Sequence, residues 1–432
     1  MQFQRSNKNF VPPIDSLDDS QRKPIESDAP EVVIKASAGS GKTRVLISAV
    51  SDYRYKYIND RICAITFTRA ARAEMEARLR EMGIYDVEVT TIHVWARNML
   101  DYFADKYDFK VQVLEESQIK AILQDIVREY LLRSKARSVN INILYTYITG
   151  SKTMDITENY RRTLNALEAR YIHYKRQNNL YDFTDYPQYL WDIMEIFDES
   201  INNIDALFVD EFQDVDRTQF KIFEKVNANK KFFIGDPWQS IYIFREADGE
   251  VFNKLDNFKF YKLKYNYRSF QEIIDYATTV YTELYDDAEA EIGNCYISKV
   301  LSVEPSSIIC NRGYGGRVTV INPFASAFEI SGSAEMRGAS KSWVYEIEDM
   351  LKLNPMILCR TNKQVKALQE FGFTNVSTVH QAKGLEYDNV VVVDHEISSV
   401  EDLNIAYVAL TRAKDNVLVI NFAQLENYLK RR

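Results

Sequence analysis

Residues 31–50 read EVVIKASAGSGKTRVLISAV, and this stretch decides the fold. The apolar residues 32–34 predict a short buried strand, the small residues after them predict a tight loop, and a helical pattern begins at Arg44. A strand, a glycine-rich loop and a helix in this order form a phosphate-binding loop, whose backbone N–H groups point at phosphate oxygens. Lys42 would then reach the terminal phosphates of a nucleotide, and the Thr43 hydroxyl would bind Mg²⁺. The loop predicts nucleotide binding, but it does not separate kinases, GTPases and motors.

A second apolar strand is predicted at residues 206–209, within the stretch IDALFVDEFQD at residues 204–214. The strand ends in Asp210 and Glu211, and carboxylates at this edge of a parallel sheet lie beside the phosphate-binding loop. Asp210 is placed to hold Mg²⁺, and Glu211 is placed to orient and deprotonate an attacking water. The pair favours hydrolysis of the nucleotide over transfer of its phosphate by a kinase.

From Leu17 to Lys414 these two motifs stand in a longer ordered series, and with it the chain resembles the superfamily 1A helicases of the UvrD/Rep/PcrA group. The other segments that carry the resemblance are LDDSQRKPI (17–25), AITFTRAARAEM (64–75), TTIHVWA (90–96), YDFTDY (181–186), IGDPWQSIYIFREA (234–247), KYNYRS (264–269), PMILCRTN (355–362), STVHQAKGLEYDNVVVV (377–393) and AYVALTRAK (406–414). The coupling motif at 234–247 departs from the commonest form, because Pro237 and Trp238 replace acidic residues. The resemblance gives Trp238 no role.

The resemblance implies that ATP is the substrate and that two halves of the chain build its site. In the first half Gln21 would read the adenine edge, Gln239 would sense the γ-phosphate and Arg245 would touch it. In the second half Tyr267 would stack on adenine, Arg268 would reach the γ-phosphate, and Arg412 would be the arginine finger. The implied catalytic residues are Lys42, Thr43, Asp210, Glu211, Gln239, Arg268 and Arg412, with Mg²⁺ on Thr43 and Asp210. The implied nucleotide-binding residues are Gln21, Ala38, Gly39, Ser40, Gly41, Lys42, Thr43, Arg44, Arg245, Tyr267, Gly384 and Glu386.

The same resemblance implies a path for single-stranded DNA and for junctions between single and double strands. The residues implied to contact it are Thr66, Phe67, Thr68, His93, Tyr242, Phe244, Arg360, Thr378 and His380. Tyr242 and Phe244 would stack on bases, which is a grip that tolerates any sequence; packing in a core is the alternative for these rings.

The implied activity is that of a 3′-to-5′ DNA helicase that couples ATP hydrolysis to steps along one strand. Three alternatives stay open. The chain could be a translocase that strips proteins from DNA, a sensor subunit that works with an accessory protein in a repair or phage-defence complex, or an RNA motor.

The alternation of strands and helices predicts an α/β fold with two RecA-like parallel-sheet domains and a helical insertion in the first. The predicted boundaries are 1–97 and 179–263 for domain 1A, 98–178 for the helical insertion 1B, and 264–432 for domain 2A. Arg360 and His380 are only 20 residues apart in the sequence. The 2B subdomain of larger relatives therefore has no room, which puts strong unwinding without a partner in doubt.

The composition limits the class of protein. Of 432 residues, 46% are hydrophobic and 27% are charged, which is typical of a globular protein with large cores. The net charge of -8 argues against binding nucleic acid by bulk charge, although a local basic groove would be enough. The four cysteines form no CxxC pair, which argues against a metal cluster and fits a reducing compartment. Without a signal-like start or a run of about 20 apolar residues, the sequence predicts a cytoplasmic protein that binds no membrane. A monomer, or weak self-association, is predicted as well.

Overall fold

The computed structural model describes residues 13–133, 138–149, 156–241, 255, 257–292, 308–321, 342–394, 397 and 399–431. The chain forms two compact units. The sheet unit combines Met1–Thr90, Asn202–Phe220 and Val226–Arg432, and the helical unit combines Thr91–Ile201 with Lys221–Lys225. No helix within the described ranges is long and apolar enough to cross a membrane.

The first sheet of the sheet unit has six strands in the order β3-β2-β4-β5-β1-β6. Its strands are β1 (Glu31–Lys35), β2 (Ile62–Thr66), β3 (Val87–Thr91), β4 (Ala206–Val209), β5 (Lys230–Gly235) and β6 (Lys259–Lys262). The central strands are apolar and buried along almost their whole length, as expected of a parallel sheet that is covered on both faces. The helices that accompany it are α1 (Asp19–Ile25), α2 (Lys42–Lys56), α3 (Arg69–Glu81) and, after β4, α9 (Arg217–Glu224). This sheet, with α1, α2 and α3, forms the first lobe.

The second sheet has five strands in the order β11-β10-β12-β13-β9, and their pairings are parallel. Its strands are β9 (Arg317–Val320), β10 (Met356–Cys359), β11 (Val376–Thr378), β12 (Tyr387–Val393) and β13 (Ala413–Ile420). A separate pair joins β7 (Tyr265–Asn266) to β8 (Ile309–Cys310). The helices are α10 (Gln271–Ile292), α11 (Ser342–Lys352), α12 (Asn362–Glu370), α13 (Val400–Leu410) and α14 (Phe422–Arg431). These elements form the second lobe, and the predicted fold class is confirmed.

The hydrophobic core of the second lobe includes residues of the first lobe. Ala38 follows β1, and Trp238 and Ile241 follow β5, yet all three are buried in one cluster with Leu358, Val390 and the apolar face of α13. The two lobes therefore share a continuous apolar interior on this side.

The helical unit contains α4 (Ile92–Tyr107), α5 (Glu116–Arg133), α6 (Ile141–Thr149), α7 (Glu158–Gln177) and α8 (Tyr186–Ile196). Its core is an apolar cluster contributed by α5, α6 and α7. The YDFTDY segment supplies a buried charge network at the end of α7. Lys175 Nζ donates to Asp182 Oδ2 (2.8 Å) and Asp185 Oδ2 (2.5 Å), and the Tyr171 hydroxyl also donates to Asp182 (2.9 Å). These bonds satisfy a carboxylate that has no exposure to solvent.

Asp394, which directly follows β12, carries a buried carboxyl group whose hydrogen bonding is incomplete. Its Oδ1 atom has no hydrogen-bond partner in the described part of the chain, and burial raises its pKa from 3.8 to about 6. A raised pKa means that the carboxyl contributes most to stability at low pH and that this contribution is lost as the pH rises through about 6. We therefore expect Asp394→Asn to stabilise the protein at pH 8 by about 1 kcal/mol, since part of the gain goes to desolvating the new amide.

Urea unfolding of the wild type and of Asp394→Asn at pH 8 and pH 5 measures this effect. The advantage of the variant should shrink by about 1 kcal/mol at pH 5, where more of the native carboxyl is protonated. Asp105→Asn, a change of the same type at an exposed position of α4, should leave stability unchanged at both pH values. An equal gain in the free energy of unfolding for Asp394→Asn at both pH values would contradict the raised pKa of Asp394.

Candidate active site

The loop at residues 36–41 has the geometry that its sequence predicts. Gly39 (φ 70°) and Gly41 (φ 82°) adopt left-handed backbone conformations, and Gly41 is the N-cap of α2, which begins at Lys42. The Ser40 hydroxyl donates to the carbonyl of Ser37 (2.7 Å), which closes the loop. The loop thus leads into the N-terminus of a 15-residue helix, and free backbone N–H groups at such an end can bind an anion.

The second lobe covers this loop. Asn266 Nδ2 donates to the carbonyl of Ala38 (2.6 Å), and the backbone N–H of Tyr267 donates to the carbonyl of Gly39 (2.8 Å). A Cβ atom on Gly39 would lie 2.7 Å from Asn266 Nδ2 and 2.8 Å from Arg268 Cβ, so glycine is required for space as well as for backbone conformation. Asn266 was missed at the level of sequence; its only signal is a neutral polar side chain inside the KYNYRS segment.

Three of the predicted nucleotide-binding residues lie together beside the loop. Gln21 is buried, and its Nε2 atom donates to the carbonyl of Ser40 (2.9 Å) while its Oε1 atom accepts from the backbone N–H of Asp18 (3.4 Å). Tyr267 is 38% exposed, and its hydroxyl donates to Asp18 Oδ2 (2.5 Å). Arg44 donates to the Ser16 hydroxyl (2.8 Å). Gln21 therefore supports the loop in this structure, and its amide would have to turn to meet a base.

The two carboxylates after β4 lie next to the phosphate-binding loop, and their pKa values are shifted in opposite directions. Burial and the neighbouring charge of Glu211 raise the pKa of Asp210 to about 7, and the Thr43 hydroxyl hydrogen-bonds to Asp210. Burial alone would also raise the pKa of Glu211, but the charges of Lys42 and Lys383 lower it below its usual value. Glu211 is therefore ionised at neutral pH, which is the state that a general base requires. Thr43 and Asp210 together offer adjacent oxygen ligands, which fit a hard divalent cation.

Gln239 and Arg412 meet at the interface of the lobes. Gln239 Nε2 donates to Asp236 Oδ2 (2.8 Å), and its Oε1 atom accepts from Arg412 Nη2 (3.4 Å). Arg412 also donates to the backbone carbonyls of Val408 (3.0 Å) and Leu385 (3.1 Å), so its guanidinium is held by the second lobe. The group is 1% exposed, and burial together with the nearby Arg268 lowers its pKa to about 9. The structure thus aims a buried cation at the residue predicted to sense the γ-phosphate.

A second charged contact crosses the lobes at Lys383, which sequence reasoning did not select. Lys383 Nζ donates to Asp214 Oδ2 (2.5 Å) and to the backbone carbonyl of Gln239 (2.9 Å). Burial raises the pKa of Asp214 to about 6 in spite of the opposing charge of Lys383. The signal in the sequence is the lysine of HQAKGLE together with the three acidic residues of DEFQD, because a buried charge needs a partner of opposite sign.

Arg268, Glu386 and Lys414 form an ionic cluster on the second lobe. Arg268 Nε donates to Glu386 Oε2 (2.8 Å), and its Nη1 atom donates to the carbonyl of Thr411 (3.1 Å). Glu386 also pairs with Lys414 (3.0 Å). Gly384 lies two residues earlier, exposed, with a φ of 85°. The structure therefore brings Arg268 and Glu386 together, and their roles at the nucleotide stay predictions.

The residues predicted to contact single-stranded DNA lie mainly at the ends of β-strands. Thr66 ends β2, and Thr68 is the N-cap of α3, where its hydroxyl accepts from the backbone N–H of Ala71 (3.1 Å). Phe67 between them is half-buried. On the second lobe Thr378 ends β11, and Arg360, which follows β10, donates to Asp402 Oδ1 (3.1 Å). Thr66 and Thr378 are buried (1% and 2% exposed), so only Phe67, Thr68 and Arg360 of this set reach the surface.

The remaining predicted contacts fall elsewhere. His380 is half-buried and follows Thr378 by two residues. His93 is exposed at the second position of α4, which belongs to the helical unit. Tyr242, Phe244 and Arg245 lie outside the residues that the structure describes. Their stacking and phosphate-binding roles stay predictions.

Comparison with known families gives two matches, one over the first lobe and the helical unit and one within the second lobe. The model of the UvrD/REP helicase N-terminal domain matches residues 17–259, and that of the UvrD-like helicase C-terminal domain matches residues 374–420. The first match alone covers more than half of the chain.

Three curated relatives illustrate the similarity. A probable DNA helicase of Mycoplasma pneumoniae is 26% identical over 478 aligned positions, which cover 94% of this chain and 84% of the relative. The Gabija protein GajB of Bacillus cereus is 24% identical, with 92% of this chain and 94% of the relative covered. A probable DNA helicase II homolog of Mycoplasma capricolum is 29% identical over 61% of this chain, which spans only 40% of that longer protein. Together with the family matches, these similarities show that the chain belongs to the UvrD/Rep family of DNA helicases.

Proposed function

We propose that this protein is an ATP-driven motor that moves 3′ to 5′ along single-stranded DNA and opens junctions between single and double strands. The observation that carries the proposal is the contact of Arg412, held by the second lobe, with Gln239 on the first lobe beside the phosphate-binding loop. A site divided between two lobes changes when the lobes move relative to each other. Such a site can convert hydrolysis into mechanical displacement.

The reaction proposed is the attack of water on the γ-phosphate of ATP. The backbone N–H groups of the loop and Lys42 would hold the phosphates, and Glu211 would accept a proton from the attacking water. Arg412 and Arg268 would stabilise the negative charge that develops on the phosphoryl oxygens. Thr43 and Asp210 would hold Mg²⁺, which neutralises phosphate charge when it is bound.

The division of the site between two lobes would also couple ATP hydrolysis to movement along DNA. We assign residues 1–97 and 179–263 to domain 1A, 98–178 to the insertion 1B and 264–432 to domain 2A. Thr66, Phe67 and Thr68 would hold the strand on one domain, and Arg360, Thr378 and His380 would hold it on the other. If closure of the cleft changes the distance between these two grips, each round of hydrolysis moves the strand.

A second candidate function is a sensor or partner-activated subunit of a repair or phage-defence complex. It is supported by the similarity to Gabija protein GajB, which extends over nearly the whole length of both chains. In this case the state of the nucleotide would signal to an accessory protein, and single-stranded DNA would not be carried along.

Steady-state ATP hydrolysis with and without single-stranded DNA separates the two candidates. A motor should be stimulated by at least about tenfold, since hydrolysis that drives movement along DNA must be coupled to the binding of DNA. Lys42→Ala, prepared in parallel, serves as the blank for contaminating ATPases. Turnover that ignores single-stranded DNA would contradict the motor and favour the sensor subunit.

Direction and unwinding are tested on labelled DNA. Partial duplexes with a single-stranded 3′ or 5′ overhang show which polarity supports strand separation. Displacement of streptavidin from a biotinylated end of single-stranded DNA detects movement without unwinding. Displacement only from the 5′ end would support 3′-to-5′ travel, whereas displacement only from the 3′ end would contradict it.

A further inference from the structure

Trp238, to which the motif resemblance gave no role, lies in the short 3₁₀ helix Pro237–Gln239 that follows β5. Asp236 caps this turn by accepting a hydrogen bond from the backbone N–H of Trp238 (3.2 Å), and Pro237 fixes its first position. The indole is only 8% exposed. A large ring on a turn must be buried by another part of the chain, and here that part is the second lobe.

Two tyrosines of the second lobe surround the indole. Tyr281 on α10 stacks on it with ring centroids 4.3 Å apart and an angle of 18° between the planes. Tyr407 on α13 meets it edge-on at 5.2 Å and 86°, and the two tyrosines meet each other at 5.7 Å and 77°. Stacked and edge-on arrangements are the favoured geometries of aromatic pairs. Trp238 thus completes an aromatic cluster that otherwise belongs to the second lobe.

The backbone after Trp238 is anchored to the same two helices. Asn404 Nδ2 donates to the carbonyl of Ser240 (2.7 Å), and Asn404 Oδ1 accepts from the Tyr281 hydroxyl (2.8 Å). Gln239 lies between these two anchors, and it is the residue that Arg412 contacts. Both neighbours of Gln239 are therefore held by the second lobe in addition to their bonds within the first lobe, where the Ser240 hydroxyl donates to the carbonyl of Gln213 (3.1 Å).

We propose that Trp238 is a positioning residue that docks the coupling turn into the second lobe and so holds Gln239 beside Arg412 before ATP arrives. The inference rests on the proposed ATP-driven function, because it concerns the readiness of that site. A site whose binding-competent arrangement is already populated binds its ligand without a conformational cost. When the docking is lost, the competent arrangement becomes rare, and ATP must supply the missing free energy through its own contacts with both lobes.

The kinetic test separates positioning from a general loss of folded protein. Trp238→Ala should raise the KM for ATP about 30-fold and leave kcat within about threefold, since saturating ATP can still draw the lobes together. Trp238→Phe keeps a ring in the cluster and should stay within about threefold of the wild type in both constants. Partial misfolding would instead lower kcat and leave KM unchanged, and that result would overturn the proposal, as would unchanged values of both constants.

A double-mutant cycle and a matched control locate the effect. Tyr281→Ala should raise KM as much as Trp238→Ala does, and the double variant should add less than about threefold, because the two rings form one contact. Full additivity would contradict the stacking role. Trp191→Ala removes the same type of residue from α8 of the helical unit, where Trp191 contacts Lys221 and Lys225, and it should leave KM unchanged.

Fluorescence reports the docking without any turnover. The emission of Trp238, taken as the difference between the wild type and Trp238→Phe, should be shielded from acrylamide without nucleotide and become accessible in Tyr281→Ala. Emission that is freely quenched in the wild type would overturn the docking. This measurement stands even if single-stranded DNA fails to stimulate ATP hydrolysis, so failure of the proposed function and failure of this inference can be told apart.

Discussion

Replacing Arg412 by alanine should lower the kcat for ATP hydrolysis in the presence of single-stranded DNA about 10³-fold, the usual effect of losing an arginine that faces the transferred phosphoryl group. The guanidinium is buried, is held by the carbonyls of Val408 and Leu385, and reaches Gln239 on the other lobe. Its charge therefore acts where water is scarce and electrostatic interactions are strong. The KM for ATP should change less than kcat, because the arginine acts mainly on charge that develops during the reaction.

The measurement is steady-state hydrolysis at saturating DNA, with thermal unfolding to check the fold. Arg54→Ala is the matched control, since Arg54 is also buried and donates to the backbone carbonyls of Tyr57, Ile58 and Asp60, but within the first lobe. It should lower stability without a comparable loss of kcat per folded molecule. Arg412→Lys keeps the charge but loses the planar fork, so it should fall between the wild type and Arg412→Ala. A kcat for Arg412→Ala within tenfold of the wild type would show that the finger is misassigned.

Replacing Glu211 by glutamine should also lower kcat about 10³-fold while ATP continues to bind, because the general base is lost and the shape of the side chain is kept. Glu211 follows Asp210 in a left-handed backbone conformation (φ 49°), and its Oε2 atom accepts from Gln213 Nε2 (2.5 Å). An amide oxygen can accept the same hydrogen bond, so the variant should keep the local geometry. The neutral amide cannot take a proton from water.

Binding and turnover must be measured separately in this case. A fluorescent ATP analogue should bind Glu211→Gln with an affinity within about threefold of the wild type or tighter, since a negative charge next to the phosphates has been removed. Glu81→Gln, at the exposed end of α3, is the control for a change of the same type and should leave both quantities unchanged. Loss of nucleotide binding in Glu211→Gln would mean that Glu211 supports the loop instead of the water.

Local patterns in the sequence were sufficient for the parts of the site that one segment builds alone. The phosphate-binding loop depends on glycines at fixed positions before Lys42, and the acidic pair depends on a buried strand that ends at Val209. Both are properties of a few consecutive residues, and both lie where they were predicted. The two-sheet architecture follows from the same alternation of apolar strands and helices.

Contacts between the lobes could not be predicted in the same way. Asn266 and Ala38 are 228 residues apart in the chain, and Lys383 and Asp214 are 169 residues apart. A linear motif shows that each residue is present, but it does not show which group of the other lobe the residue contacts. Gln21 is a related case, because its amide has more than one partner within reach, and only the packing shows that it binds the carbonyl of Ser40.

The shared apolar interior of the two lobes also determines the order in which the chain can complete its folding. Ala38, Trp238 and Ile241 precede every strand of the second sheet, yet they are buried with Leu358 and Val390. As the chain leaves the ribosome, the first sheet is synthesised before the surface that covers these three residues exists. A fragment that carried only the second sheet would expose the complementary apolar surface, and such surfaces promote aggregation. The second lobe therefore completes its core on the first, and expression of either half alone is expected to yield aggregated protein.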